Sequence, residues 1–392
     1  MTAPHAFLIA YAFIGCVYWL WMLVGAVRIV RAVPVLGKAV SPAPAAWPRL
    51  SIVIPACNEG ESLEAAIATV LGQDYPDLEV VLVDDRSTDA TGAIIDRVAT
   101  ADCRVRVVHV TQLPEGWLGK VHALARGVEK ATGDWLLFAD ADVHLAPVTL
   151  RRAIAYCLHR RVDHVAALPD IWYSSLVLDT MFATFLRTFP VATRCWAVAD
   201  ADSGAYIGVG AFNLVRREAL EATEGLSWLR LEVADDLGLG LLLKRSGARC
   251  CVVNGTGVVG LHWYRNLGQV ARGVEKAYAP VAGCNPLRML GVCAAIIGLE
   301  WAPIVALLPL GVPGLFWAGL LMAVAAVAST VIMHRWLRHR LLPGLLAPAG
   351  VVLGVLLFLR AGWLGFRRGG VVWRGTLYPS RQLRSGARVR FP

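Results

Sequence analysis

Trp135-Leu136-Leu137-Phe138-Ala139-Asp140-Ala141-Asp142-Val143 joins an apolar run, short enough for a buried strand, to two carboxylates one residue apart. Alternate residues of an extended chain point the same way, so Asp140 and Asp142 can share one side of a turn. Oxygen-only ligands at the end of a buried strand suit Mg2+ or Mn2+, which keep several waters and accept phosphate oxygens as further ligands. The letters alone are unspecific. Asp200-Ala201-Asp202 repeats them, but it leads into Ser203-Gly204 and reads as a solvated turn.

Working outward, residues 50–55, 79–83 and 105–110 read as further strands, and residues 61–71, 88–98 and 120–130 as helices between them. This alternation predicts an α/β fold, a doubly wound and mainly parallel sheet with helices on both faces. In such a sheet a ligand lies beyond the carboxyl ends of the strands. Residues 55–59, Asp84 with Asp85, and Asp140 with Asp142 all fall at such ends, so three separate segments are expected to meet at one crevice.

The 392 residues are 57% hydrophobic, with mean hydropathy +0.56, too apolar for an ordinary soluble enzyme. A cytosolic domain tied to a membrane fits better. The net charge of +9 does not point to nucleic acid, because the arginines crowd beside apolar spans and in the tail, where anionic headgroups account for them. Nine cysteines without a Cys-x-x-Cys pattern fit reduced thiols.

Residues 6–27 are long enough to cross a bilayer and are followed by Arg28, Arg31 and Lys38, which places the next segment in the cytosol as after a signal anchor. Residues 33–48, with four prolines among alanines, read as a semi-rigid spacer. Apolar runs return at 289–310, 315–333 and 341–359. Glu300 lies inside the first, either functional or snorkelling. Arginines flank the last run on both sides, so a full crossing conflicts with a cytosolic tail. Pro343 and Pro348 allow a re-entrant or interfacial helix instead, and the cytosolic tail is favoured. Residues 371–378 have a strand-like pattern and could fold back towards the acceptor cleft. Leu178, Met181, Phe182, Phe185, Leu186 and Phe189 make an apolar helix stripe, either core or a guide for a lipid.

Taken together, Ser51-Ile-Val-Ile-Pro-Ala-Cys-Asn-Glu59, Val83-Asp-Asp-Arg-Ser-Thr-Asp89, Gly119-Lys120 and Asp140-Ala141-Asp142 resemble the nucleotide half of the family 2 inverting glycosyltransferases, which have a GT-A fold. The resemblance implies that Pro55, Ala56, Asn58, Glu59 and Asp85 grip the nucleotide, with Lys120 and Asp140 near it, and that Asp142 with Asp140 binds Mg2+ or Mn2+ on the diphosphate. The plain alternative for Asp85 is a cap on the following helix. Gly204 to Asn213 is similar to the family's small-residue loop. Leu231-Glu-Val-Ala-Asp-Asp-Leu-Gly-Leu-Gly240 resembles its acidic pair, implying a catalytic base at Asp236 with Asp235 beside it. Both acids also simply suit a helix N-terminus. Arg265 is expected either at the diphosphate or anchoring a loop.

The Gln-x-x-Arg-Trp motif of processive members is absent, which argues for a single transfer. Residues 264–265 and 273–276 resemble the branches that modify lipids, carotenoids and hopanoids. The expected organisation is a membrane anchor (1–33), a linker (34–48), nucleotide (49–147) and acceptor (148–286) halves, membrane segments (287–363) and a basic cytosolic tail (364–392). The expected enzyme is a multi-pass protein of the cell membrane with a cytosolic catalytic domain, moving one sugar, expected from a UDP-sugar, to a hydrophobic acceptor. The rivals are a processive synthase and a non-catalytic scaffold that binds nucleotide sugars.

Overall fold

The computed structural model of the protein describes residues 3–389; Arg390, expected in the basic tail, lies outside them. The chain opens with α1 (Ala3–Ala32), β1 (Leu50–Ala56), α2 (Leu63–Leu71), β2 (Leu78–Asp85), α3 (Thr91–Ala101), β3 (Val105–Val110), α4 (Gly119–Lys130) and β4 (Trp135–Phe138). It continues through β5 (His144–Leu145), α5 (Thr149–Arg160), β6 (His164–Leu168), β7 (Asp170–Ile171), α6 (Leu176–Ala192), β8 (Asn213–Arg216), α7 (Arg217–Glu221), α8 (Asp235–Arg245), β9 (Cys250–Asn254) and β10 (Val259–Leu261). The last part comprises α9 (Leu267–Gly273), α10 (Tyr278–Ala282), α11 (Pro286–Leu307), α12 (Leu315–Trp336), α13 (Leu341–Leu345), α14 (Ala347–Arg368), β11 (Gly370–Trp373), β12 (Thr376–Pro379) and α15 (Ser380–Gly386).

A seven-stranded sheet runs in the order β3-β2-β1-β4-β8-β6-β9. Only β8 is antiparallel to its neighbours, so the sheet is mainly parallel as expected. Side chains alternate between its faces. Val53, Val81, Val83, Leu136 and Phe138 pack with Val121, Leu124, Leu237 and Leu239 from α4 and α8. Ile52, Ile54, Val80, Leu82 and Leu137 pack with Leu63, Ile67 and Ile154 from α2 and α5. The strand order turns back between β1 and β4, the position where open α/β sheets form their crevice.

Two boundaries bear on the site. β2 continues through Asp84 and Asp85, which pair in register with His109 and Val110. α3 starts only at Thr91, whose N–H donates to Asp89 Oδ1 at 2.9 Å. Asp85 is therefore too far upstream to cap that helix, and the plain alternative for it fails.

His164 in β6 is buried, its Nε2 at 2.7 Å from Asn213 Oδ1. Burial pushes its pKa down to about 4, so the folded protein keeps it neutral while the unfolded chain binds a proton near the ordinary histidine value. This stability is complete above pH 6.5 and falls as pH drops towards 4, by up to about 3 kcal/mol. Melting of detergent-purified protein from pH 7.5 to 4.5 is expected to show a steeper loss for the native chain than for His164→Gln. Equal slopes would remove His164 from the account.

The proline-rich spacer is docked at both ends. Asn254 N–H donates to Pro34 O at 2.8 Å and Tyr75 Oη to Pro48 O at 2.6 Å, with one 3-10 turn (Leu36–Lys38) between.

Four helices, α1, α11, α12 and α14, are long and apolar enough to cross a membrane. α12 packs against α1 and α11, and α14 packs against α6 and α11. Glu300 neither snorkels nor stands alone. It forms a buried ion pair with Arg187 of α6, whose Nη1 also donates to Thr330 Oγ1 at 3.0 Å and whose guanidinium lies 4.7 Å from the Trp19 ring. The final apolar run breaks at Leu346 into α13 and α14. α14 begins beside the middle of α11, where Trp301 Nε1 donates to Pro348 O at 2.9 Å. It ends at the α/β domain, with Arg360 and Arg368 at 2.9 and 2.8 Å from the two oxygens of Glu275. The apolar stripe of α6 divides its contacts. Leu178 and Met181 are buried towards α14, while Phe182 and Phe185 stack against Trp263.

Candidate active site

Three of the acidic segments arrive as the sheet dictates. β1, β2 and β4 are parallel and release Cys57 to Glu59, Asp84 with Asp85, and Asp140 to Asp142 at the same edge. β8 runs the other way, so its entry loop reaches that edge, with Asn213 opposite Phe138. This brings Gly204 to Asn213 into the crevice. A pocket holding ≈ 370 Å³ of empty space is lined there by Pro55, Lys120, Asp140, Gly210, Asp235 and Asp236.

The glycine loop is locked to α8 by close backbone approach. A Cβ on Gly208 would overlap the Asp236 carbonyl, one on Gly240 the Ile207 carbonyl, and one on Gly210 the Asp140 carboxylate. The contact positions a carboxylate: Asp236 Oδ2 accepts from Gly210 N–H at 3.0 Å and Oδ1 from Leu237 N–H at 2.8 Å. Both acids lie in the first turn of α8, so a helix N-terminal role and a chemical role coexist.

Lys120 spans the two acidic segments, with Nζ 2.8 Å from Asp140 Oδ1 and 3.3 Å from Asp235 Oδ2. Burial alone would favour neutral lysine, but Asp140, Asp235 and Asp236 hold it charged, well above the ordinary lysine value. Burial likewise acts to raise the Asp140 carboxyl, and Lys120 more than offsets it, leaving that group below the usual carboxylate range. Asp235 is pushed up to about 6 by burial, with Lys120 opposing and Asp236 adding to the rise.

Asp142 differs from these. Burial, then the charges of Asp140 and Glu59, push it up to about 7, and among the described residues no ion pair reaches it. It is thus the carboxylate where added positive charge is most favourable. Among the described residues no cluster of three or more His, Cys, Asp or Glu side chains forms a cage for a metal. The donor set fits a hard cation held by one or two carboxylates plus phosphate oxygens brought by a ligand, the usual arrangement for Mg2+.

At the nucleotide end, Asp85 is buried and binds Arg86 through Nε at 2.8 Å and Nη2 at 3.1 Å. A Cβ on Gly119 would overlap its carboxylate, which ties Gly119 to this corner. Asn58, at φ 56°, accepts Thr88 N–H through Oδ1 at 2.8 Å. Ala56 is buried at the end of β1, and Glu59 pairs with Arg374. Arg265 is exposed in the turn before α9, with its backbone N–H on Gln269 Oε1 at 2.8 Å. Asp200 and Asp202 are exposed in a turn closed by Asp202 N–H on Asp200 Oδ1, as expected for the repeated letters.

Residues 371–378 do fold back, as the hairpin β11–β12, but onto Cys57, Glu59 and Gly119 on the nucleotide side. Arg374 is thereby brought to this crevice, a placement the sequence reading did not foresee. The signal was present in Arg374-Gly375 between two strand-like triplets, a two-residue turn with φ 50° and 78°.

Residues 51–223 match the family model described as Glycosyl transferase family 2. Glycosyltransferase GlyG of Streptococcus pneumoniae serotype 4 is 37% identical over 93 residues, 24% of this chain and 30% of that protein. GalNAc(5)-diNAcBac-PP-undecaprenol beta-1,3-glucosyltransferase of Campylobacter jejuni is 31% identical over 98 residues, 25% of this chain and 31% of that protein. The chain thus spans under a third of the length of these two relatives. Among solved structures, the mannosyltransferase PcManGT from Pyrobaculum calidifontis, in complex with GDP-Man and Mn2+, superposes with a TM-score of 0.52 at 21% identity. The match covers 92% of this chain and 99% of that one and shows a shared GT-A fold.

Proposed function

We propose that the chain, whose residues 51–223 match the model described as Glycosyl transferase family 2, moves a single sugar from a nucleotide donor to a hydrophobic acceptor hydroxyl, with inversion, at a membrane. The observation that carries this reading is the meeting of Asp85, Lys120, Asp142 and Asp236 at one sheet edge beside the β1/β4 turn-back. Asp85 and Asn58 bind the nucleoside, and a UDP-sugar is the proposed donor. Asp236, held by two backbone N–H groups, takes the acceptor's proton as its oxygen bonds to the anomeric carbon from the face opposite the leaving diphosphate. Lys120 lends its charge to the diphosphate while keeping Asp140 and Asp235 in place. When bound, Mg2+ or Mn2+ at Asp142 supplies charge stabilisation to the departing phosphate.

A lipid-type acceptor is supported by the four helices long and apolar enough to cross a membrane and by α6, whose Phe182 stacks on Tyr264 and lies tilted against Trp263. The name of the Campylobacter relative also sets its acceptor on undecaprenol. In this reading α1, α11 and α12 cross the membrane, and α13 with α14 forms a re-entrant segment that starts beside Trp301 within α11 and returns to the catalytic side. That arrangement satisfies the arginines flanking α14 and the hairpin that follows it.

Detergent-purified protein is expected to release nucleotide from a UDP-sugar or GDP-sugar only with Mg2+ or Mn2+ and lipid extract present. Asp142→Asn is expected to lower turnover by roughly a hundredfold or more. Nucleotide binding without turnover for any donor and lipid would favour the scaffold instead.

A further inference from the structure

The nucleotide end of the crevice is covered by residues beyond the family match at 51–223. The hairpin β11–β12 follows α14 and meets each donor-side loop in turn. Arg374 Nη1 donates to Cys57 O at 2.6 Å, and its Nη2 pairs with Glu59. Tyr378 Oη accepts Gly119 N–H at 3.1 Å, immediately before Lys120. Arg86, which holds Asp85, reaches Thr376 Oγ1 at 3.5 Å. Lys276 Nζ lies 5.1 Å from the centre of the Trp373 ring. Its neighbour Glu275 holds Arg360 and Arg368, so the same two arginines fix both Lys276 and the root of the hairpin.

Arg374 is unusual in two respects. It occupies the left-handed region at φ 50°, uncommon for a residue other than glycine. A guanidinium has five N–H donors in a planar fork, and 45% of this side chain is exposed while only Nη1 and Nη2 are engaged. Arg374 on Glu59 and Lys120 on Asp140 therefore flank the place between Asp85 and Asp142 that a diphosphate must occupy if the nucleoside lies at one and the cation at the other, and Lys276 stands beside Trp373 at the end of β11.

We propose that the hairpin completes the donor site, with Arg374 and Lys276 donating to the diphosphate oxygens and Arg374 exchanging Glu59 for phosphate when the donor binds. A planar fork matches a phosphate edge in a way that an ammonium does not. The inference rests on the transferase reading and adds to it a ligand contact from behind the last apolar helix.

The test is binding of UDP, GDP, uridine and guanosine, each with Mn2+, to the full-length protein in detergent, for the native chain, Arg374→Gln, Arg374→Lys and Lys276→Gln. Arg374→Gln is expected to weaken the bound nucleoside diphosphate by roughly tenfold to a hundredfold, the loss of a hydrogen bond to a charged group. Affinity for the matching nucleoside is expected to stay within about twofold, Arg374→Lys to restore only part of the loss, and KM for the donor to rise more than kcat falls. Lys276→Gln provides the same readout away from the strained turn, should Arg374→Gln fold poorly. Native affinity for the diphosphate in both glutamine variants, or equal weakening of nucleoside and diphosphate, would overturn the inference alone. A native chain that binds no nucleoside diphosphate would overturn the transferase reading and this inference with it.

Discussion

Asp236→Asn is expected to lower kcat by about a thousandfold, within the usual range for loss of a positioned general base. An amide keeps the shape of the carboxylate and can still accept one of the two N–H bonds from Gly210 and Leu237. It cannot take the acceptor's proton. Donor KM should therefore change little, which separates lost chemistry from lost binding. Asp235→Asn is expected to raise donor KM as well as lower kcat, because Asp235 is buried and paired with Lys120. Steady-state kinetics of both variants decide the roles. If Asp236→Asn kept more than about a tenth of the native rate, the proton would have to go elsewhere, and Asp235 would be the next candidate.

The donor half was legible because its signals are local. β1, β2 and β4 are short, largely apolar runs that end at polar residues, and the alternation with helices fixes which ends share an edge. What the sequence concealed depends on distant pairing. Arg187 sits in the middle of an apolar stripe, and nothing nearby shows that its partner is Glu300, 113 residues on. Asp85 reads as a possible cap until the true start of α3 at Thr91 is known. The hairpin was legible as a hairpin, but its landing place on Cys57 and Glu59 depends on where α14 ends, which periodicity does not encode.

Arg187→Met is expected to destabilise the protein by about 3–5 kcal/mol, because Glu300 is left buried without its counter-charge. The guanidinium also gives up its contacts to Thr330 and the Trp19 ring, so α6 loses its tie to α1, α11 and α12 together. Combining Arg187→Met with Glu300→Leu is expected to recover most or all of the loss, since well-packed apolar side chains often replace a buried pair at no cost. Thermal or SDS unfolding in lipid-containing detergent reads the three variants. A neutral Arg187→Met would mean that the pair is solvated in the native protein. An additive double variant would mean that the two residues are uncoupled.

On the proposed reading, the hold of the membrane helices on the α/β domain has a consequence for which acceptors could be modified. The domain is tied down at its N-terminal side where Asn254 holds Pro34, and at its C-terminal side where Glu275 holds α14. Moored on both sides, it has little freedom to rock after a headgroup. If Asp236 is the base and the acceptor a lipid, as proposed, the distance from Asp236 to the bilayer would work as a built-in ruler, admitting a hydroxyl at one height and passing over those a sugar's length nearer or farther. A product lengthened by one residue would carry its new hydroxyls off that mark, so the proposed single transfer would need no separate device for termination.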